Sequence, residues 1–360
     1  MTEPHAAGDT RIEELIPAAS EPVACGPNPT FGRHFTPAML ALEFREGEGW
    51  GRGRIEQKAP IPIDPSCIAL NYGQSVFEGL KAYRQPDGRV AIFRLADHAA
   101  RFQRSARRVA LPEISPDVFV DLVTRFVRHE ARAIPVGNEI ALYLRPLLLG
   151  TEAGLGIRAS KDALFLVMGA IVGPYFGAGK SSVKVRVSDE FVRAAPGGTG
   201  AAKAAGNYAS GLLALRRAWA EGLDQVMYLD AVHRRHIEEM EGMNVFVVQD
   251  GALCTPPLTD TILPGVTRAS LITLARGREI PVREEPIVWD QVAQGLRTGR
   301  VTEVFAAGTA AVIAPIGELR RGEEVFVLPE KRPVAEQLRQ TLRGIQSGTA
   351  PDPHGWRTLI

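Results

Sequence analysis

Cysteine is nearly missing from this chain of 360 residues: Cys25, Cys67 and Cys254 stand far apart. An odd, scattered set excludes a disulfide framework and lacks the paired spacing of a zinc site. An excess of one charge is missing too. Lysine and arginine number 42 against 41 aspartates and glutamates, a formal net charge of +1. That balance offers no electrostatic basis for binding nucleic acid or an anionic membrane. The longest apolar run, Ala163 to Val172, is about half of the roughly 20 residues that a membrane helix needs. The histidines form no HExxH pattern, and His233 and His236 flank Arg234 and Arg235, as in a solvated basic turn. No metal site is expected. The opening Met-Thr-Glu-Pro-His brings an acid and no apolar segment, so it does not read as a secretory signal. The expected compartment is cytoplasmic.

What is present is ordinary globular composition, 45% hydrophobic and 23% charged, at a length that favours two domains. Residues 1 to about 30 carry five prolines and no sustained period, which predicts a mobile or loosely docked arm. The apolar stretch Ile68–Tyr83, the turn Gln85-Pro-Asp-Gly88 and the run Val90–Phe93 predict strands that end in a hairpin. Asp97 is the expected cap of a helix with Ala99, Phe102, Ala106 and Val109 on its apolar face. Arg101, Arg104, Arg107 and Arg108 lie on the same helix, where a solvated basic face is the plain expectation. Ser115-Pro116 opens a second helix that ends before Pro135. Ile140–Leu149 reads as an apolar strand containing Arg145, whose guanidinium needs either an internal partner or a ligand carboxylate. Gly173–Lys180 breaks every period. The resulting division is an arm over 1–30, a small α/β domain over 31–175, a linker over 176–182 and a larger cofactor-binding domain over 183–360. Within the last, Val183–Val187 and Asp224–Leu229 read as strands, flanking a helix through Leu212, Leu215 and Trp219 that stops at Gly222. Ile237–Val248 leads into a further strand, and the chain closes with a helix from Pro333 to about Gln346 and a polar tail.

Chemistry concentrates in Pro196-Gly-Gly-Thr-Gly-Ala-Ala-Lys-Ala-Ala-Gly-Asn-Tyr208. Lys203 is its one charged residue, set among side chains small enough for a bulky group to approach. By itself this is either a Gly-rich loop with an incidental lysine or a desolvated amine able to attack a carbonyl. Ile262-Leu-Pro-Gly-Val-Thr-Arg opens a helix whose first N–H groups and dipole suit a phosphate. Phe305-Ala-Ala-Gly-Thr-Ala-Ala311 adds a second small-residue turn with a hydroxyl. A lysine, phosphate-binding turns and a basic helix together suggest a phosphorylated carbonyl cofactor, and pyridoxal 5'-phosphate fits. Glu238, Glu239 or Glu241 could face its pyridinium nitrogen.

Five stretches in order carry a resemblance: Asn71-Tyr-Gly-Gln-Ser-Val-Phe-Glu-Gly-Leu-Lys-Ala-Tyr83, Tyr143-Leu-Arg-Pro146, Gly198–Tyr208, Glu238-Glu-Met-Glu-Gly-Met-Asn244 and Ile262–Arg268. From about Phe31 to the C-terminus the chain resembles the branched-chain amino-acid aminotransferases, pyridoxal phosphate enzymes of fold-type IV. The resemblance implies a two-domain α/β (α+β) fold and a homodimer with active sites near its interface. It implies reversible ping-pong transfer of the amino group of L-leucine, L-isoleucine or L-valine to 2-oxoglutarate, giving glutamate. By position, Lys203 matches the Schiff-base lysine that also shuttles the substrate Cα proton. Tyr208 matches the donor to the ring 3-oxygen, and Glu239 the carboxylate on the pyridine nitrogen. Arg101, Val266, Thr267 and Thr309 match the phosphate-binding set, and Leu263 a residue packed near the ring. For the substrate the resemblance implies walls from Tyr72, Phe77 and Tyr143, with Arg145 beside them. It implies the backbone of Gly308, Thr309 and Ala310 at the α-carboxylate.

The chain departs from the family pattern at Asn71, where histidine is usual, and at Ala205 and Glu241, where glycine is usual. Ala311 and Ala314 replace a Cys-x-x-Cys found in some members, which excludes thiol regulation there. The rival readings are a D-amino-acid or (R)-amine transaminase, an aminodeoxychorismate lyase, or a catalytically silent protein that keeps the fold.

Overall fold

The computed structural model describes residues 12–136, 140–177 and 179–360, and the chain divides into two compact units. The first comprises Met1–Ala178, Ala202–Ala205 and Gln346–Ile360; the second comprises Gly179–Ala201 and Gly206–Ile345. Two short stretches that the sequence reading placed in the second domain, the one holding Lys203 and the C-terminal tail, thus belong to the first.

The first unit is built on one mixed sheet. Its neighbouring strands run Ile12–Glu14, Gly53–Gln57, His34–Arg45, Asp162–Val172, Ala141–Gly150, Leu80–Arg84, Val90–Phe93 and Arg357–Leu359. Ser75–Phe77 lies beside Ala141–Gly150, with Val76 opposite Leu148. The expected hairpin forms, pairing Leu80–Arg84 with Val90–Phe93. Asn71 and Tyr72, expected within an extended run, instead sit in the short helix α1, Ile68–Tyr72, which Gly73 ends in the left-handed region (φ 68°). Helix α2, Leu95–Arg108, and helix α3, Pro116–Glu130, bring Phe102 and Phe119 together, and both reach Phe165 of the sheet. These rings have no solvent exposure and form the centre of the core, where each buried ring contributes roughly 1.5–3 kcal/mol.

Ser115 caps α3 as expected, its Oγ accepting from the Val118 amide at 3.3 Å. The cap of α2 is not Asp97. The helix starts one turn earlier, after Arg94 in the left-handed region (φ 51°), because Leu95 is drawn into the core. Asp97 stands in the first turn, and its carboxylate takes two hydrogen bonds from Arg94. Both chain ends also differ from expectation. Ile12–Glu14 forms a parallel pair with Gly53–Ile55, and Ile16 and Val23 pack on the core. Apolar residues between the prolines hold this part of the arm down. The C-terminal tail ends as a strand, Arg357–Leu359, beside Val90–Phe93.

The second unit holds a second mixed sheet. Met243–Gln249, Val301–Gly308, Val312–Arg321, Val183–Ser188, Gln225–Leu229 and His236–Met240 follow one another. The last pairs back onto the first, Glu239 opposite Asn244, so these six strands close into a ring. Phe246 and Phe305 stack inside it, 5.2 Å between centres. The short helix α4, Ala205–Ala209, leads to α5, Leu212–Ala220, then α6, Val266–Arg276, α7, Trp289–Thr298, and α8, Pro333–Ser347. Ala214, Leu215 and Ala218 form the buried stripe of α5, while Leu212 and Trp219 are exposed in the single chain. Among the described residues no helix is long and apolar enough to cross a membrane.

Candidate active site

The lysine segment is stitched to the first unit by its backbone. The Lys203 amide donates to Ser105 Oγ on α2 at 3.0 Å, and the Phe77 amide donates to the Lys203 carbonyl at 3.1 Å. Ala204 forms an isolated bridge with Val76. The side chain then runs over the Phe77 ring, with Nζ 4.8 Å from its centre. Burial, and next the charge of Arg101, pull the Lys203 ammonium down to about 8 from 10.5. Glu78 and Tyr143 oppose that shift, and Arg145 adds to it. A poised amine is what attack on a carbonyl requires.

Arg101 is separated from its basic neighbours by burial, as the resemblance implied. Its Nε and Nη2 donate to the two oxygens of Glu78 at 2.6 and 2.9 Å, a two-point pair with Glu78 wholly buried. His98 Nδ1 lies 2.8 Å from Glu78 Oε2, and the Gly79 amide donates to the same oxygen at 3.0 Å. Burial alone would raise the Glu78 carboxyl, but Arg101 and His98 reverse that and hold it well below the usual carboxylate range. Burial in turn lowers the His98 imidazole, against the pull of Glu78.

Three of the four expected substrate residues meet beside Lys203. Arg145 Nη2 donates to the Tyr143 hydroxyl at 3.0 Å, and its guanidinium lies 4.6 Å over the Phe77 ring. Among the described residues it has no acidic partner, which decides the open question of an internal ion pair. Tyr143 packs edge-on to Phe31, and its hydroxyl occupies the space that a Cβ on Gly79 would need. Tyr72 stands on α1, partly exposed, with its hydroxyl donating to the Leu155 carbonyl at 2.5 Å. Asn71, at a position where the family has histidine, caps the turn before α1 through Nδ2 bonds to Pro65 and Cys67 carbonyls.

The second unit carries the other half of the expected set. Glu239, on strand His236–Met240, is 2% exposed. Its Oε1 accepts from Asn244 Nδ2 at 2.7 Å and from the Leu263 amide at 2.8 Å, and its Oε2 pairs with Arg193 Nε at 2.8 Å. Glu238 points to the opposite face of the strand and accepts from Thr261 Oγ1. Glu241 accepts from the Tyr228 hydroxyl at 2.9 Å. Each of the three candidate carboxylates thus has its own place, and Glu239 alone shares a network with Leu263.

Leu263 and Asn244 carry that network to the start of α6, Asn244 Nδ2 also donating to the Leu263 carbonyl at 3.0 Å. Gly265 precedes the helix and supplies no side-chain cap. A Cβ there would overlap Asn244 Oδ1, so the close approach requires glycine. Val266 and Thr267 form the first turn and are buried. Gly308 ends strand Val301–Gly308, and Thr309 and Ala310 form the half-buried turn before Val312 (φ 63°). Tyr208 stands on α4 with its ring near Gly242.

The model of the family Amino-transferase class IV matches residues 75–319. The chain belongs to this family. The aminotransferase is 45% identical over 351 residues to a probable branched-chain-amino-acid aminotransferase of Streptomyces coelicolor, covering 95% of this chain and 97% of that one. It is 46% identical over 339 residues to the branched-chain-amino-acid aminotransferase of Mycobacterium tuberculosis, covering 92% of each. Among solved structures it superposes on the Escherichia coli branched-chain amino acid aminotransferase, with a TM-score of 0.71 at 29% identity over 89% of this chain and 98% of that one. It also superposes on a thermostable-type relative, a branched-chain amino acid aminotransferase complexed with N-(5'-phosphopyridoxyl)-L-glutamate. There the TM-score is 0.72 at 27% identity, over 89% of this chain and 98% of that one. The aminotransferase therefore has the fold-type IV architecture that the resemblance implied.

Sequence reasoning missed Glu78, Arg193 and Asn244. Glu78 carried a signal, an acid inside the apolar run Val76–Leu80. Arg193 and Asn244 carried none, because only their partners give them a role.

Proposed function

We propose that this class IV aminotransferase moves the amino group of L-leucine, L-isoleucine or L-valine to 2-oxoglutarate, reversibly and by a ping-pong route, with pyridoxal 5'-phosphate as cofactor. The observation that carries the proposal is Lys203, brought to about 8 between the Phe77 ring and Arg101. The residues present fit the cofactor: a poised lysine, a helix start without a side-chain cap, and a buried carboxylate in a hydrogen-bonded frame. Lys203 Nζ would hold its aldehyde carbon. Arg101, the amides of Val266 and Thr267 and the Thr309 hydroxyl would hold its phosphate. Glu239 would keep a proton on the pyridine nitrogen, Tyr208 would donate to the ring 3-oxygen, and Leu263 would pack near the ring. When bound, the cofactor supplies an electron sink for the bond broken at the substrate Cα.

Lys203 Nζ, as the neutral amine, takes the proton from the substrate Cα. Phe77, Tyr143 and Tyr72 supply apolar walls for a branched side chain. Arg145 supplies the cation for the second carboxylate of 2-oxoglutarate or glutamate, held ready by the Tyr143 hydroxyl and the Phe77 ring. The amides of the Gly308–Ala310 turn would face the α-carboxylate. The curated relatives support the choice of branched-chain substrates, and the solved relative carrying a phosphopyridoxyl-L-glutamate supports the cofactor and the L-configuration. A homodimer and a cytoplasmic location belong to the same proposal.

The visible absorption spectrum tests it. A yellow protein that bleaches with L-leucine and stays yellow with D-alanine is expected. Bleaching with D-alanine alone moves the chain to the D-specific transaminases, and a protein that stays colourless after added cofactor removes the function.

A further inference from the structure

The four-residue cluster under the lysine contains two groups with no assigned part in the reaction, Glu78 and His98. We propose that Glu78 is a positioning residue: it fixes the Arg101 guanidinium in the one orientation that serves the cofactor phosphate. This rests on the assignment of Arg101 to that phosphate.

The geometry carries the inference. Glu78 follows Phe77, whose ring lies under Lys203 Nζ and whose amide donates to the Lys203 carbonyl. Neighbouring residues of a strand end point to opposite faces, so Glu78 turns away from the lysine and toward α2. There both carboxylate oxygens are taken by Arg101, at 2.6 and 2.9 Å. A planar fork matched by a carboxylate has both its direction and its tilt defined, which one hydrogen bond cannot do. Glu78 is held in turn by His98 Nδ1 and by the Gly79 amide, so the carboxylate cannot rotate with the guanidinium. One turn further along α2 from Arg101, Ser105 accepts from the Lys203 amide. The same helix face therefore references the arginine and the lysine backbone to each other, with Glu78 closing the arrangement from the strand side.

An electrostatic consequence follows. Glu78 raises the Lys203 ammonium, while Arg101 and Arg145 lower it and Tyr143 raises it. Taking away the Glu78 charge should move the lysine further down, which a packing role alone would not do.

The test uses the full chain freed of cofactor and two probes, pyridoxal 5'-phosphate and pyridoxal, which differ only in the phosphate. Their affinity ratio is the readout, together with the pH dependence of pyridoxal addition to Lys203. Glu78→Gln is expected to lower the ratio about tenfold by loosening a charge-assisted pair and to shift the addition profile to lower pH. Glu78→Asp keeps the charge and the fold but withdraws the oxygens, and it is expected to lower the ratio with the pH profile little changed. In an Arg101→Gln background, Glu78→Gln should lower the ratio no further. Glu78→Gln and Glu78→Asp proteins that keep the parental ratio while Arg101→Gln loses it overturn the inference. An Arg101→Gln protein with an unchanged ratio takes away the phosphate role of Arg101, and this inference with it.

Discussion

Lys203 Nζ lies 4.8 Å from the centre of the Phe77 ring, and the Phe77 amide donates to the carbonyl of the same lysine. One residue thus anchors the lysine backbone and shields its ammonium from water. The consequence is measurable as a pH profile. Addition of pyridoxal to the cofactor-free chain should rise through about pH 8 and level off, in place of the climb toward 10.5 shown by an ordinary lysine. The unfolded lysine keeps its proton to higher pH than the folded one, so this group makes stability rise with pH between about 8 and 10.5. Lys203→Ala should abolish transamination while cofactor still binds without a covalent bond. Substantial residual turnover would contradict the assignment.

Arg145 should separate the two substrates. Arg145→Gln removes the cation that has no acidic partner among the described residues, so KM for 2-oxoglutarate should rise by about tenfold or more. KM for leucine should change far less. Equal effects on both substrates in steady-state kinetics would mean that Arg145 serves the general shape of the pocket.

Arg193 and Glu239 form a buried pair at 2.8 Å, 5% and 2% exposed. Arg193→Met leaves Glu239 without its cation and should cost about 3–5 kcal/mol in denaturant unfolding. Glu239→Gln is expected to lower kcat by about 10²-fold, the usual cost of removing one preorganised electrostatic group. A kcat within twofold of the parent would sink its proposed role at the pyridine nitrogen.

Gly265→Ala sets a methyl against Asn244 Oδ1. Overpacking of this kind costs about 1–3 kcal/mol, and the displaced Asn244 would loosen Glu239 and Leu263 together. Thermal unfolding should show the loss, and cofactor should dissociate faster than from the parent. An unchanged melting temperature would show that the turn relaxes freely.

Glu241 occupies a position where the family has glycine, and its carboxyl is raised by burial above the ordinary value of 4.5 despite the hydrogen bond from Tyr228. A raised group holds its proton better in the folded chain than in the unfolded one. Its contribution is therefore fully present below pH 4.5 and is lost as pH rises through the folded value. Relative to Glu241→Gln, the parent should lose stability over that rise in urea titrations at stepped pH. The Tyr228 hydroxyl is raised as well, by burial and by Glu241.

Legibility differed from residue to residue. The hairpin around Gln85–Gly88 and the Ser115 cap were readable because each is decided within a few residues by turn and capping chemistry. Lys203 was readable because small residues surround it in the chain itself. The α2 cap was misread, since Asp97 has the right chemistry but burial of Leu95 set the start earlier. The arm and the tail were misread for the same reason. Their few apolar residues look negligible in sequence, yet they find the edges of a sheet already formed.

The sequence by itself determined which groups are chemically able to act: the lysine in its small-residue cradle, the Pro-Gly start of α6, and a run of glutamates before Asn244. Local composition decides such things, because a turn, a cap or an unshielded amine is defined within one stretch of chain. Only the tertiary structure decided that Glu239 rather than Glu238 or Glu241 joins Arg193, Asn244 and Leu263, and that Glu78 grips Arg101. Those choices depend on strand register and on charges brought into a dry interior, where a partner far away in sequence determines whether a buried ion is tolerated.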